Sequence, residues 1–139
     1  MKSFKKFIKE QETYRGSHRA PMKNESNAMA SDVDLVMPDY YEHPEYYSHM
    51  SKFIDNHTHK ILSKIRNKLD AEITIYRAIP KSLGEKTINP GDWVTVNKHY
   101  ATEHCKVLDV PCQILTKKVK ASELYTNGDS PHEFGYDPS

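Results

Sequence analysis

Arg77, Thr95 and Glu133 stand where residue type and spacing could support chemistry. Arg77 falls on the same side of an alternating run as Ile73, Ile75 and Ile79. Burying a guanidinium alone costs several kcal/mol, roughly, so it needs an anion. That anion is either an Asp or Glu of the chain or a bound carboxylate or diphosphate, which the planar fork of arginine can grip by two oxygens. Thr95 lies two residues beyond Trp93, the single tryptophan. An aromatic wall beside a hydroxyl suits a flat heteroaromatic ligand, and an aromatic residue equally suits a core. Glu133 stands between His132 and Phe134, in a stretch punctuated by Pro131 and Gly135. If its aromatic neighbours desolvate it, it is poised to stabilise positive charge or move a proton; otherwise it is an ordinary surface carboxylate.

Other chemistries fit less well. Among the eight histidines and two cysteines, His99, His104 and Cys105 are the closest cluster. Their spacing matches neither a zinc-finger pair nor H-E-x-x-H, so no metal site is expected. The five glycines form no phosphate-binding loop. Twenty Lys and Arg against nineteen Asp and Glu leave a formal charge of +1, which disfavours a nucleic-acid-binding module apart from a local Lys117, Lys118 and Lys120 patch. No apolar run reaches the roughly 18 residues of a membrane span. The start, MKSFKKFIKE, has no apolar stretch long enough for a secretory leader. Cys105 and Cys112 are too few for a disulfide framework and lack C-x-x-C spacing, which points to a reducing cytoplasm.

These residues must be positioned by one α+β domain, since 139 residues with mean hydropathy −0.80 allow a single small core. Phe4, Phe7 and Ile8 among lysines predict a short amphipathic helix over 1–13, docked on its own domain rather than on a membrane. Residues 15–44 show no sustained period and are expected to be a long loop, partly ordered by tyrosines such as Tyr40 and Tyr41. Pro44 can open a helix, and Tyr47, Met50, Ile54, Ile61, Ile65 and Leu69 continue it over 45–69. On it His57 and His59 point roughly 200° apart and cannot share a metal. The period then becomes two, predicting a strand over 73–79 in a sheet region of 72–139. A short strand follows over 93–96, then a helix capped by Asn97 and running to His104, a strand over 113–119, a bend over 120–124 and a tight turn at Asn127-Gly128-Asp129.

Three segments in order, Ile75-Tyr76-Arg77-Ala78-Ile79-Pro80, then Ile88-Asn89-Pro90-Gly91-Asp92-Trp93-Val94-Thr95 followed by Tyr100-Ala101 and His104, then Glu133-Phe134-Gly135-Tyr136-Asp137-Pro138, resemble small ADP-ribosyltransferase-like domains encoded by bacteriophages. Their spacing is similar to the arginine, hydroxyl and glutamate motifs of the arginine-type ADP-ribosyltransferase superfamily. Ser17-His18-Arg19-Ala20-Pro21 and the tyrosine-rich segment are similar to the amino-terminal half of the same phage proteins, so the likeness begins near residue 14.

The resemblance implies a split β-sandwich of two small antiparallel sheets with flanking helices. It implies NAD as co-substrate and a mono-ADP-ribosyltransferase acting in the host cytoplasm, with a host protein as acceptor and nucleic acid or water as alternatives. Arg77 would bind the pyrophosphate or the adjacent ribose, Thr95 would orient the carboxylate, Trp93 and Tyr100 would line the nicotinamide pocket, and Glu133 would be the catalytic glutamate. Two positions depart from the superfamily pattern. Asn97 stands where a second hydroxyl is expected, an amide that would still hydrogen-bond in the NAD site. Pro131 stands where arginine-modifying members carry Glu or Gln and can orient no acceptor, leaving Asp129 or His132 as candidates for that role. The rival reading is a catalytically weak or inactive module that binds a nucleotide or a host partner.

Overall fold

The computed structural model describes residues 20–47 and 50–139. The helix expected over 1–13 and the segment Ser17-His18-Arg19 lie outside the described residues. The fold is mixed α+β, with two small antiparallel sheets. In chain order the elements are β1 (Ala28–Met29), α1 (Lys52–Lys64), β2 (Glu72–Pro80), β3 (Trp93–Val94), α2 (Lys98–Val107), β4 (Cys112–Lys120), β5 (Leu124–Thr126) and β6 (Phe134–Tyr136), with single 3-10 turns between several of them. One sheet runs β1-β5-β6-β3 and the other pairs β2 with β4.

The alternation read from the sequence becomes β2, which pairs with β4 along its full length, Arg77 facing Leu115 and Ile75 facing Lys117 in register. Ile75, Ile79, Leu115 and Val119 are buried into the common core. The two sheets meet where Tyr76 and Thr95 exchange backbone hydrogen bonds of 2.8 and 2.9 Å. Arg77 is thereby brought beside the Trp93–Thr95 segment by main-chain pairing, before any side chain is considered.

Several expectations need correction. The helix expected over 45–69 is shorter. Ser51 caps it, its hydroxyl accepting from the Ile54 N–H at 3.3 Å, and Pro44 opens a separate 3-10 turn, Pro44–Tyr47. At the other end Asn67 adopts φ 62°, a left-handed conformation that a helix interior cannot hold, and its N–H bonds to Ser31 O at 2.9 Å. Leu69, expected on the apolar stripe, is exposed. The second correction concerns 15–44. Its described part holds β1 and the 3-10 stretch Ala30–Leu35, and it sends Ala30, Val33, Met37, Tyr40 and Tyr41 into the core. It is a structural layer rather than a loop.

α2 begins as the sequence indicates: Asn97 Oδ1 accepts from the N–H groups of His99 and Tyr100 at 2.9 and 3.3 Å, satisfying two helix-end donors. The helix runs three residues beyond His104, to Val107. Cys105 and Cys112 are bonded to each other with their Cα atoms 5.6 Å apart, tying the last turn of α2 to the start of β4. That bond removes cysteine usage as an argument for a reducing compartment. Gly135 in β6 is required by packing, because a Cβ there would fall 1.8 Å from Pro21 O. No helix among the described residues is long and apolar enough to cross a membrane.

Candidate active site

The cleft lies where β2, β3, α2 and the turn before β6 converge. Its walls include Arg77, Trp93, Thr95, Tyr100, His104 and Glu133, and its free volume, counting the part open to solvent, is about 330 Å³. Five residues singled out in the sequence, Arg77, Trp93, Thr95, Tyr100 and Glu133, therefore share one cavity, although 56 positions separate the first from the last.

The Arg77 side chain is 11% exposed. Nη1 donates to Trp93 O at 2.9 Å, while Nε faces Asp92 Oδ2 at 3.7 Å and Glu85 Oε2 at 3.9 Å. The anion that a guanidinium on an apolar strand demands is thus supplied from within the chain. Asp92 is itself fixed by the Asn89-Pro90-Gly91 turn, its carboxylate accepting from the Asn89 N–H at 2.8 Å. The guanidinium is thus held at the edge of the cleft by two carboxylates of the chain itself.

Glu133 is partly buried, and its carboxyl is pushed up to about 7, chiefly by loss of solvation. The Tyr100 hydroxyl donates to its Oε1 at 2.8 Å, which works against that rise by stabilising the charged form. Burial, followed by the nearby carboxylate, pushes the Tyr100 phenol far above its ordinary range, so it remains a donor at any physiological pH. Burial also lowers His104 to about 4, leaving a neutral imidazole on the wall at pH 7. Its ring packs 4.6 Å from that of Tyr100.

Several assigned roles change. The donor to Glu133 is Tyr100 rather than Thr95, whose Oγ1 instead accepts from the Asn97 N–H at 3.2 Å. Asn97, expected to bind NAD, does not line the cleft. It is wholly buried, and its Nδ2 donates to Ile54 O and Thr58 Oγ1, both at 2.9 Å. His132, a candidate to orient an acceptor, is also wholly buried, with Nδ1 2.8 Å from Thr58 Oγ1 and Nε2 2.7 Å from Asp55 Oδ1. Asp129 is exposed in the turn. Pro131 is buried and has no polar side chain to contribute.

In the sequence His104 reads only as part of a cluster whose spacing suits no metal. Its position one helical turn beyond Tyr100 was the signal that both face the same cavity. Asp55 and Thr58 carried no comparable signal, because the partners that give them a role, His132 and Asn97, lie far along the chain. Among the described residues no group of three or more His, Cys, Asp or Glu side chains is disposed to hold a metal ion. No model of a known protein family, no curated protein and no solved structure matches this chain.

Proposed function

We propose that the chain is an NAD-dependent mono-ADP-ribosyltransferase with the split β-sandwich of that superfamily, encoded by a phage and acting on a host macromolecule. The observation that carries this reading is the convergence of Arg77, Thr95, Tyr100 and Glu133 on one cleft, with a desolvated carboxylate held by a phenol. In this reading the nicotinamide and its ribose enter the cleft from its open side, with the adenosine half lying outside.

In this scheme Trp93 and Tyr100 flank the nicotinamide, and Arg77 meets the ribose rather than the pyrophosphate, because Asp92 and Glu85 already balance its charge. The bond between ribose C1′ and the nicotinamide nitrogen breaks, its electron pair leaves with nicotinamide, and positive charge develops on the sugar. Ionised Glu133, accepting a hydrogen bond from a ribose hydroxyl, stabilises that charge as it forms, as in glycoside cleavage. An acceptor nucleophile, or water, then bonds to C1′ and gives up its proton to solvent.

A specific observation favours the rival reading of a binding module: the internal ion pairs of Arg77 satisfy its charge without any ligand. Incubating the purified protein with NAD labelled in the adenylate and with bacterial lysate separates the two. Label on a macromolecule supports transfer, free labelled ADP-ribose supports hydrolysis at the same site, and no nicotinamide release refutes the enzyme reading.

A further inference from the structure

Behind Glu133 lies a polar chain that the cleft does not use. Asn97 Oδ1 must face the backbone N–H groups it caps, so its Nδ2 is the donor to Thr58 Oγ1. One direction of donation then satisfies every atom: Asn97 to Thr58, the Thr58 hydroxyl to His132 Nδ1, and His132 Nε2–H to Asp55 Oδ1. Asp55 also accepts from the Met50 N–H at 3.2 and 3.3 Å. The order of groups is that of a nucleophile, a base and an acid. However, the Thr58 hydroxyl is wholly buried between Asn97 and His132, where no substrate can reach it.

The chain ends on the tyrosine that holds Glu133. The His132 ring stacks on Tyr100 with centroids 4.8 Å apart and planes 15° from parallel, and His104 packs against the same tyrosine. A phenol confined between two imidazoles has little freedom to swing its hydroxyl off the carboxylate. We propose that Asp55, Thr58 and His132 are positioning residues for Glu133: by fixing the His132 ring between α1 and α2, they hold Tyr100 in the one orientation that keeps its hydroxyl on the carboxylate.

The titratable groups facing this unit include Asp55 from α1, Tyr40 beside it, Tyr100 and His104 from α2, and Asp129 and Glu133 from the turn before β6. Glu133 can be followed directly by carboxyl-13C NMR titration of glutamate-labelled protein, its resonance identified by its loss in Glu133→Gln. A midpoint near 7 is expected in the wild type. If Tyr100 is released, the charged form loses its donor, so in His132→Ala and Asp55→Ala the midpoint rises by about one pH unit. Asp55→Asn, which keeps an acceptor for Nε2–H but loses the charge, does not raise the midpoint. Loss of the Asp55 charge alone would move the midpoint the opposite way, downward, so the sign separates bracing from simple electrostatics.

An unchanged or lowered midpoint in His132→Ala and Asp55→Ala chains with native near-UV circular dichroism overturns the proposal. If His132→Ala does not fold, Asp55→Ala and the near-isosteric Thr58→Val decide by the same sign. A kinetic arm rests on the NAD-cleaving reading: the two alanine variants lose about tenfold in kcat with KM for NAD unchanged, and unaltered kcat overturns the proposal. A wild type that cleaves no NAD refutes the enzyme reading alone and leaves the titration to judge the brace.

Discussion

Replacing Glu133 by glutamine tests the electrostatics of the cleft without any ligand. Burial raises the carboxyl from 4.5 to about 7. Between those values the unfolded chain has released its proton while the folded chain keeps it. The stability linked to this group is therefore complete below pH 4.5 and is lost as pH rises to about 7. At 1.36 kcal/mol per pH unit the loss is at most about 3 kcal/mol, a ceiling because the cleft is partly open to water. Glutamine keeps an oxygen for the Tyr100 hydroxyl but has no proton to release. Urea denaturation of both proteins at pH 4.5 and pH 8.5 should therefore show the variant gaining up to about 3 kcal/mol on the wild type at the higher pH. Groups common to both proteins cancel in the difference. Parallel stability profiles would refute the claim that Glu133 is desolvated, and with it the argument that its charge acts strongly on a substrate.

Three further outcomes follow from the same contacts. Tyr100→Phe removes the donor that stabilises ionised Glu133, so the pH at which NAD cleavage reaches half its plateau moves upward from about 7 in initial-rate profiles; an unmoved profile would show that the phenol does not act on the carboxylate. Asn97→Ala removes a helix cap and two buried amide hydrogen bonds, and should lower unfolding stability by about 3 kcal/mol; a loss below about 1 kcal/mol would contradict its structural role. Reducing the bond between Cys105 and Cys112 opens a short loop and should lower stability by about 2 kcal/mol, read as a lower midpoint in denaturant with dithiothreitol; identical midpoints would show that the bond contributes nothing.

The legible parts of the fold were those where one period governs burial. β2 announced itself by alternation, and α2 by a cap residue placed before a helical run. Residues 30–41 build much of the core yet read as a loop, because successive 3-10 and turn conformations bury Ala30, Val33, Met37 and Tyr40 with no common period. α1 was overextended because Tyr47, Met50 and Leu69 continued the apolar spacing by coincidence, whereas Ser51 and the left-handed Asn67 set its ends.

Arg77 is legible in the sequence because it breaks an apolar strand face. Its partners Glu85 and Asp92 come from a segment with no period to place them. Asn97 and His132 carry polar chemistry visible in the sequence, yet both lie behind the cleft wall rather than in it. Nothing local in the sequence shows that Asn97 and His132 both converge on Thr58 of α1, or that Asp55 receives His132 Nε2.

The central claim is that Glu133, at the cleft shared with Arg77, drives cleavage of the nicotinamide–ribose bond. Nicotinamide release from NAD at pH 8, where the carboxylate is ionised, should be measured for wild type and Glu133→Gln alongside NAD binding by calorimetry. The variant is expected to bind NAD about as well as wild type and to release nicotinamide at least about a hundredfold more slowly. Equal release by the two proteins, or none by the wild type, would contradict it.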